Sequence, residues 1–85
     1  MKNEFIINYC NLNYPDETKL IARSMINYYH IRNKEDKSDV DTAMQNRIYS
    51  GVIALFREMS KTLSNELEYN ENEIFESLFM IHIKT

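Results

Sequence analysis

The chain has 85 residues, a single cysteine and a formal net charge of −3 at pH 7. A chain of this length forms one domain (residues 1–85) and buries only about 60% of the surface of its unfolded form, so its own core supplies limited stability. One cysteine excludes an internal disulfide and any metal site built on several thiolates. Association with another chain is the remaining common source of stability, so we expect a homodimer or a complex.

The composition indicates a globular protein of a reducing compartment. Hydrophobic residues make up 44% of the chain, an ordinary share for a folded domain. No apolar run approaches the roughly 20 residues of a transmembrane helix, and the N-terminus does not resemble a secretion signal. A lone free cysteine fits the cytoplasm. We therefore expect a cytoplasmic protein without membrane contact. The heavy use of Asn, Ile, Lys, Tyr and Glu is typical of AT-rich genomes, those of low-GC bacteria and their phages and mobile elements included.

The first segment, residues 4–13, is compatible with two structures. Phe5, Tyr9 and Leu12 recur at helical spacing on one face. The apolar residues between Ile6 and Tyr14 also come close to the alternation of a strand. We favour a helix.

A second helix is predicted over residues 15–33. Pro15 suits a first helical turn, and Asp16 and Glu17 favour the positive end of the helix dipole. A polar stripe lies opposite an apolar stripe made of Leu20, Ile21, Met25, Tyr28 and Tyr29. Residues 33–38 contain no apolar side chain and predict a turn into the next helix.

The strongest helical pattern covers residues 40–63. Its apolar side chains recur at steps of three and four residues: Val40, Met44, Ile48, Val52, Leu55, Met59 and Leu63. Ser38 and Asp41 have the spacing of a capping box. At 1.5 Å per residue this helix is about 36 Å long, and it forms an antiparallel hairpin with the helix before it.

The last segment, residues 72–83, favours a helix, although residues 79–83 have the composition of a strand. Its apolar and aromatic residues at helical spacing are Ile74, Phe75, Leu78, Phe79 and His82. The predicted fold class is therefore all-α, a small bundle of three to four helices built on a long helical hairpin. An α+β fold with short terminal strands is the alternative.

No pattern predicts a catalytic residue, a cofactor or a metal ligand set. One glycine, Gly51, is too few for a Gly-rich phosphate loop. Cys10 has no flanking base or cation that would activate it, so a packed thiol is expected. His30 and His82 lack the spacing of paired metal ligands. We therefore expect that the protein is not an enzyme.

Two alternatives involve nucleic acid. Arg23 and His30 have the Arg-x6-His spacing of helical RNases of the HEPN class, in which arginine holds a phosphate and histidine moves a proton. The rest of the sequence does not resemble that class. Lys19, Arg23 and Lys34 also give one basic end, which is compatible with a nucleic-acid-binding regulator. The negative net charge counts against both, because neutralised phosphates supply most of such affinity.

Two surfaces are candidates for a protein partner. Tyr49, Ile53 and Phe56 form a second apolar face of the long helix, and the terminal segments are too short to cover a helix of that length. Glu66 and Glu68 begin an acidic stretch, residues 64–76, that is either a solvated face or an acidic docking surface. The predicted function is a non-enzymatic interaction module, a self-associating regulator or inhibitor that binds a macromolecular partner.

Overall fold

The computed structural model describes residues 1–83 as four helices joined by short turns. They are α1 (Lys2–Asn13), α2 (Pro15–Arg32), α3 (Asp39–Glu66) and α4 (Glu71–His82). The predicted all-α fold is confirmed. The alternative with terminal strands is wrong, because both terminal segments are helices and residues 1–83 contain no strand.

Local sequence signals account for where α2, α3 and α4 begin. Pro15 occupies the first turn of α2, and the residue before a proline avoids the helical conformation, so α1 ends just ahead of it. The predicted capping box starts α3: the Ser38 hydroxyl accepts the Asp41 N–H at 3.1 Å, and the Asp41 carboxylate accepts the Ser38 N–H at 3.2 Å. A second capping box, Asn70 with Glu73, starts α4. Its Asn-x-x-Glu spacing is visible in the sequence.

The helices form a bundle around the C-terminal half of α3. Helices α2 and α3 are antiparallel, since Glu17 shares a groove with Met59 and Arg32 shares one with Asn46. Helix α4 turns back along α3, and α1 packs on α2 and α4. The molecule is 45 Å long, close to the about 42 Å of a 28-residue helix, so α3 runs from one end to the other.

The core draws on all four helices. Its buried residues are Ile6, Cys10, Ile21, Met25, Val52, Phe56, Met59, Leu63, Ile74 and Leu78. At its centre the Phe56 ring meets Phe75 edge-on, with 6.2 Å between ring centroids, and stacks on His82 at 5.7 Å. Burial lowers the pKa of His82. Two serines are buried as well: Ser60 donates its hydroxyl to the Phe56 carbonyl at 2.6 Å, whereas the Ser77 hydroxyl has no partner among residues 1–83.

Burial is uneven along the hairpin of α2 and α3. Helix α4 ends level with Tyr29, whose hydroxyl donates to the Ile83 carbonyl at 3.0 Å. Beyond that level, among residues 1–83, α2 and α3 cover only each other, and we call this end the hairpin tip (residues 30–48). Within the tip only Ile31 is buried. The tip therefore contributes little to the core of the bundle.

Candidate protein-interaction surfaces

The predicted contact face on α3 is largely covered by the chain itself. Phe56 is 0% exposed, so the prediction that it contacts a partner is wrong. Ile53 packs half-buried against the core, and Tyr49 lies half-buried with its ring centroid 5.5 Å from that of Tyr28. The reason is the path of α4. Although it has only 12 residues, it returns directly along the half of α3 that carries Ile53 and Phe56.

The exposed apolar side chains of α3 lie at the opposite end of the helix. Val40 is 67% exposed and Met44 is 48% exposed, although both belong to the apolar stripe of residues 40–63 that the sequence predicts. Four residues advance a helix by 40° more than one turn, so a stripe with steps of four rotates around the axis. Three such steps lead from Val40 to Val52, which is buried. The stripe therefore starts in solvent and ends in the core.

A shallow groove between α2 and α3 adjoins these side chains. Its lining includes Leu20, which is 56% exposed, together with Ile48 and Gly51. A Cβ atom built on Gly51 would meet nothing within 4 Å. We call Leu20, Val40, Met44, Ile48 and Gly51 the outer hairpin surface. It is apolar, open to solvent, and lies on the side of the hairpin away from α4.

In the second candidate surface, the acidic stretch of residues 64–76, some of the glutamates form hydrogen bonds within the fold. Glu66 accepts the Tyr9 hydroxyl at 2.7 Å and the Tyr14 hydroxyl at 2.5 Å, which ties α1 to the end of α3. These hydrogen bonds lower the pKa of Glu66 and raise the pKa of Tyr14 to about 12. Glu73 belongs to the capping box of α4. Glu66 therefore has a structural role within the fold, while its predicted docking role, like that of the exposed Glu68, stays a prediction.

Low pH should reduce the stability of the folded protein through protonation of Glu66. Because its pKa is lower in the folded chain, the stabilisation is complete above the ordinary glutamate pKa of about 4.3 and is lost as the pH falls through the folded value. The double variant Tyr9→Phe/Tyr14→Phe removes both donors, so its stability should decrease less than that of the wild type between about pH 5 and pH 2. Urea unfolding at a series of pH values measures this. Equal pH dependence of the two proteins would contradict it, and Tyr69→Phe is the matched control.

Two sequence features bear on catalysis: the Arg23–His30 pair and the thiol of Cys10. Arg23 and His30 are both exposed on α2. Burial, chiefly, raises the pKa of Cys10 to about 11, so its sulfur is a protonated thiol at neutral pH rather than a nucleophilic thiolate. Among residues 1–83, no group of three or more His, Cys, Asp or Glu side chains is placed to hold a metal ion.

In the part of the chain that the structure describes, no helix combines the length and the apolar character needed to cross a lipid bilayer. The chain matches no protein-family model, and comparison with curated proteins and with solved structures gave no match.

Proposed function

We propose that the protein is a non-enzymatic interaction module that associates with itself and with a macromolecular partner, as a regulator or an inhibitor does. The observation that supports this is the outer hairpin surface. Val40 and Met44 keep about half or more of their surface in water at the end of the bundle that α4 does not reach, and Leu20 does so beside the groove between α2 and α3. Clustered exposed apolar side chains of this kind mark interaction sites more often than isolated ones do.

The energetics favour covering this surface. Burial of apolar area contributes about 25 cal/mol per Å², or about 1.5–3 kcal/mol for a side chain such as Leu, Val or Met. The whole stability of a small domain is only about 5–15 kcal/mol. A partner that binds the folded chain alone therefore raises its stability appreciably.

The charges around the surface favour a protein partner over nucleic acid. Arg47 borders the groove at one end, and Glu17 and Glu58 border its continuation at the other. A mixed polar rim around an apolar centre is typical of protein–protein interfaces. At the hairpin tip, Lys34 forms a salt bridge with Asp41 at 3.2 Å, so one of the basic side chains is already paired with a carboxylate of the chain itself.

Two methionines allow a matched test of the proposal. Met44 on the outer hairpin surface is 48% exposed, and Met80 on α4 is 49% exposed. Met44→Glu should weaken association at least tenfold, which corresponds to about 1.4 kcal/mol, because it places a charge in a desolvated interface. Met80→Glu should leave association unchanged. Light scattering and affinity capture from the native host measure the two effects, with circular dichroism to establish that both variants fold. Equal behaviour of the two variants would refute the proposed surface.

A further inference from the structure

The outward side of α3 carries a ridge of solvent-exposed residues. Successive ridge residues are four and three positions apart in alternation, which is the spacing of a coiled-coil seam. On either side of the ridge lies a groove, one shared with α2 and one shared with α4. The ridge residues, all exposed, are Val40, Met44, Arg47, Gly51, Ala54, Glu58, Lys61 and Asn65.

The ridge is complementary to itself about the middle of α3. The helix spans Asp39–Glu66, so its midpoint lies between residues 52 and 53. A two-fold axis there aligns a second, antiparallel α3 over the full length of the first. Each residue of one helix then faces the residue of the partner helix that lies at the same distance from the midpoint but on its other side in the sequence. Arg47 faces the partner's Glu58, and Glu58 faces the partner's Arg47. Neither takes part in the one salt bridge that residues 1–83 contain.

The residues nearest this axis are the smallest of the ridge. Gly51 faces the partner's Ala54, and small side chains at a crossing let two helices approach closely. A glycine inside a helix costs about 1 kcal/mol relative to alanine. Within residues 1–83 nothing requires it, because no positive φ occurs there and a Cβ at Gly51 would have open space around it. Close approach of a second helix provides a reason for glycine at this position.

We propose that two copies of this chain pair through the ridge as an antiparallel dimer, with two Arg47–Glu58 ion pairs flanking a Gly51–Ala54 contact at the two-fold axis. The inference rests on the proposed function and names the self-associating partner. Toward the ends of α3, the aliphatic part of the partner's Lys61 covers Met44.

Charge reversal tests the pairing. Arg47→Glu and Glu58→Arg should each weaken dimerisation at least tenfold, because each places like charges opposite one another. The double variant should dimerise within about threefold of the wild type. An equimolar mixture of the two single variants should form a heterodimer, since one chain then carries two glutamates and the other two arginines at these positions. Sedimentation equilibrium at about 50 mM salt, where screening is weak, measures the association of the two single variants, the double variant and the mixture. Lys19→Glu, an exposed charge reversal on α2 away from the ridge, is the control.

A distance measurement tests the orientation. With spin labels attached through Asn65→Cys, antiparallel chains place the two labels about 40 Å apart, from 25 residues at 1.5 Å each. Parallel chains would place them side by side. A short distance, or a wild type that remains monomeric at every concentration, overturns the inference.

The outcomes separate this inference from the proposed function. A wild type that dimerises, with charge-reversal variants that associate equally well, overturns the ridge pairing and leaves the interaction module standing. So does a monomer that captures a partner protein through Met44. A monomer for which Met44→Glu and Met80→Glu behave alike overturns both.

Discussion

Replacement of Phe56 by alanine should lower the free energy of unfolding by about 3–5 kcal/mol. The ring is 0% exposed and sits between Phe75 and His82, so its removal leaves a cavity at the point where α4 docks on α3. A domain of this size has a total stability of about 0.05–0.15 kcal/mol per residue. The variant should therefore be close to unfolding at room temperature.

Urea denaturation followed by circular dichroism measures the effect of Phe56→Ala. Leu12→Ala is the control, because Leu12 is 81% exposed and its truncation should change stability by no more than about 0.5 kcal/mol. If both variants lose equally little stability, α4 does not cover Phe56. The prediction that this ring contacts a partner would then apply again.

Substitution of Ile6 by aspartate should abolish cooperative folding. Ile6 of α1 is 0% exposed and belongs to the same core as Ile74 and Leu78 of α4. The variant loses the burial of a large side chain and also has to desolvate a carboxylate, so a loss of about 4 kcal/mol or more is expected. We therefore expect the fold to require the short helix α1.

Near-UV circular dichroism and a thermal melt measure the loss of cooperative folding in Ile6→Asp. Asn8→Asp introduces the same charge two residues away at an exposed position and should melt like the wild type. A native-like, cooperative melt of Ile6→Asp would show that α1 is dispensable, and with it the four-helix core.

The helices could be predicted from the sequence because their signals are local. Pro15 marks the boundary of α1 and α2, and Ser38 with Asp41 marks the start of α3. Each signal acts within four residues, through a missing N–H group or a side chain that accepts a backbone N–H. The apolar periodicity of residues 40–63 is local in the same sense, and α3 extends only one residue before it and three after it.

The interaction surface could not be predicted in the same way, because burial depends on which helix returns to which face. Helical spacing places Val40 and Phe56 on different sides of α3, but it does not tell which side α4 covers. The role of Glu66 was equally hidden. Its tyrosine partners Tyr9 and Tyr14 lie 57 and 52 positions away in the chain, and the negative charge alone suggested a docking site.

The uneven burial along α3 divides the molecule into parts of different local stability. Backbone amides in the half of α3 that lies in the core exchange with solvent only when the whole domain opens, whereas those near Val40 and Met44 need only a local fraying of the hairpin tip. Residues 30–48 are thus expected to open at a lower free energy than the half of α3 that lies in the core. A second chain docked on this end would suppress that fraying. Slower amide exchange at the tip would then accompany binding without any change of fold.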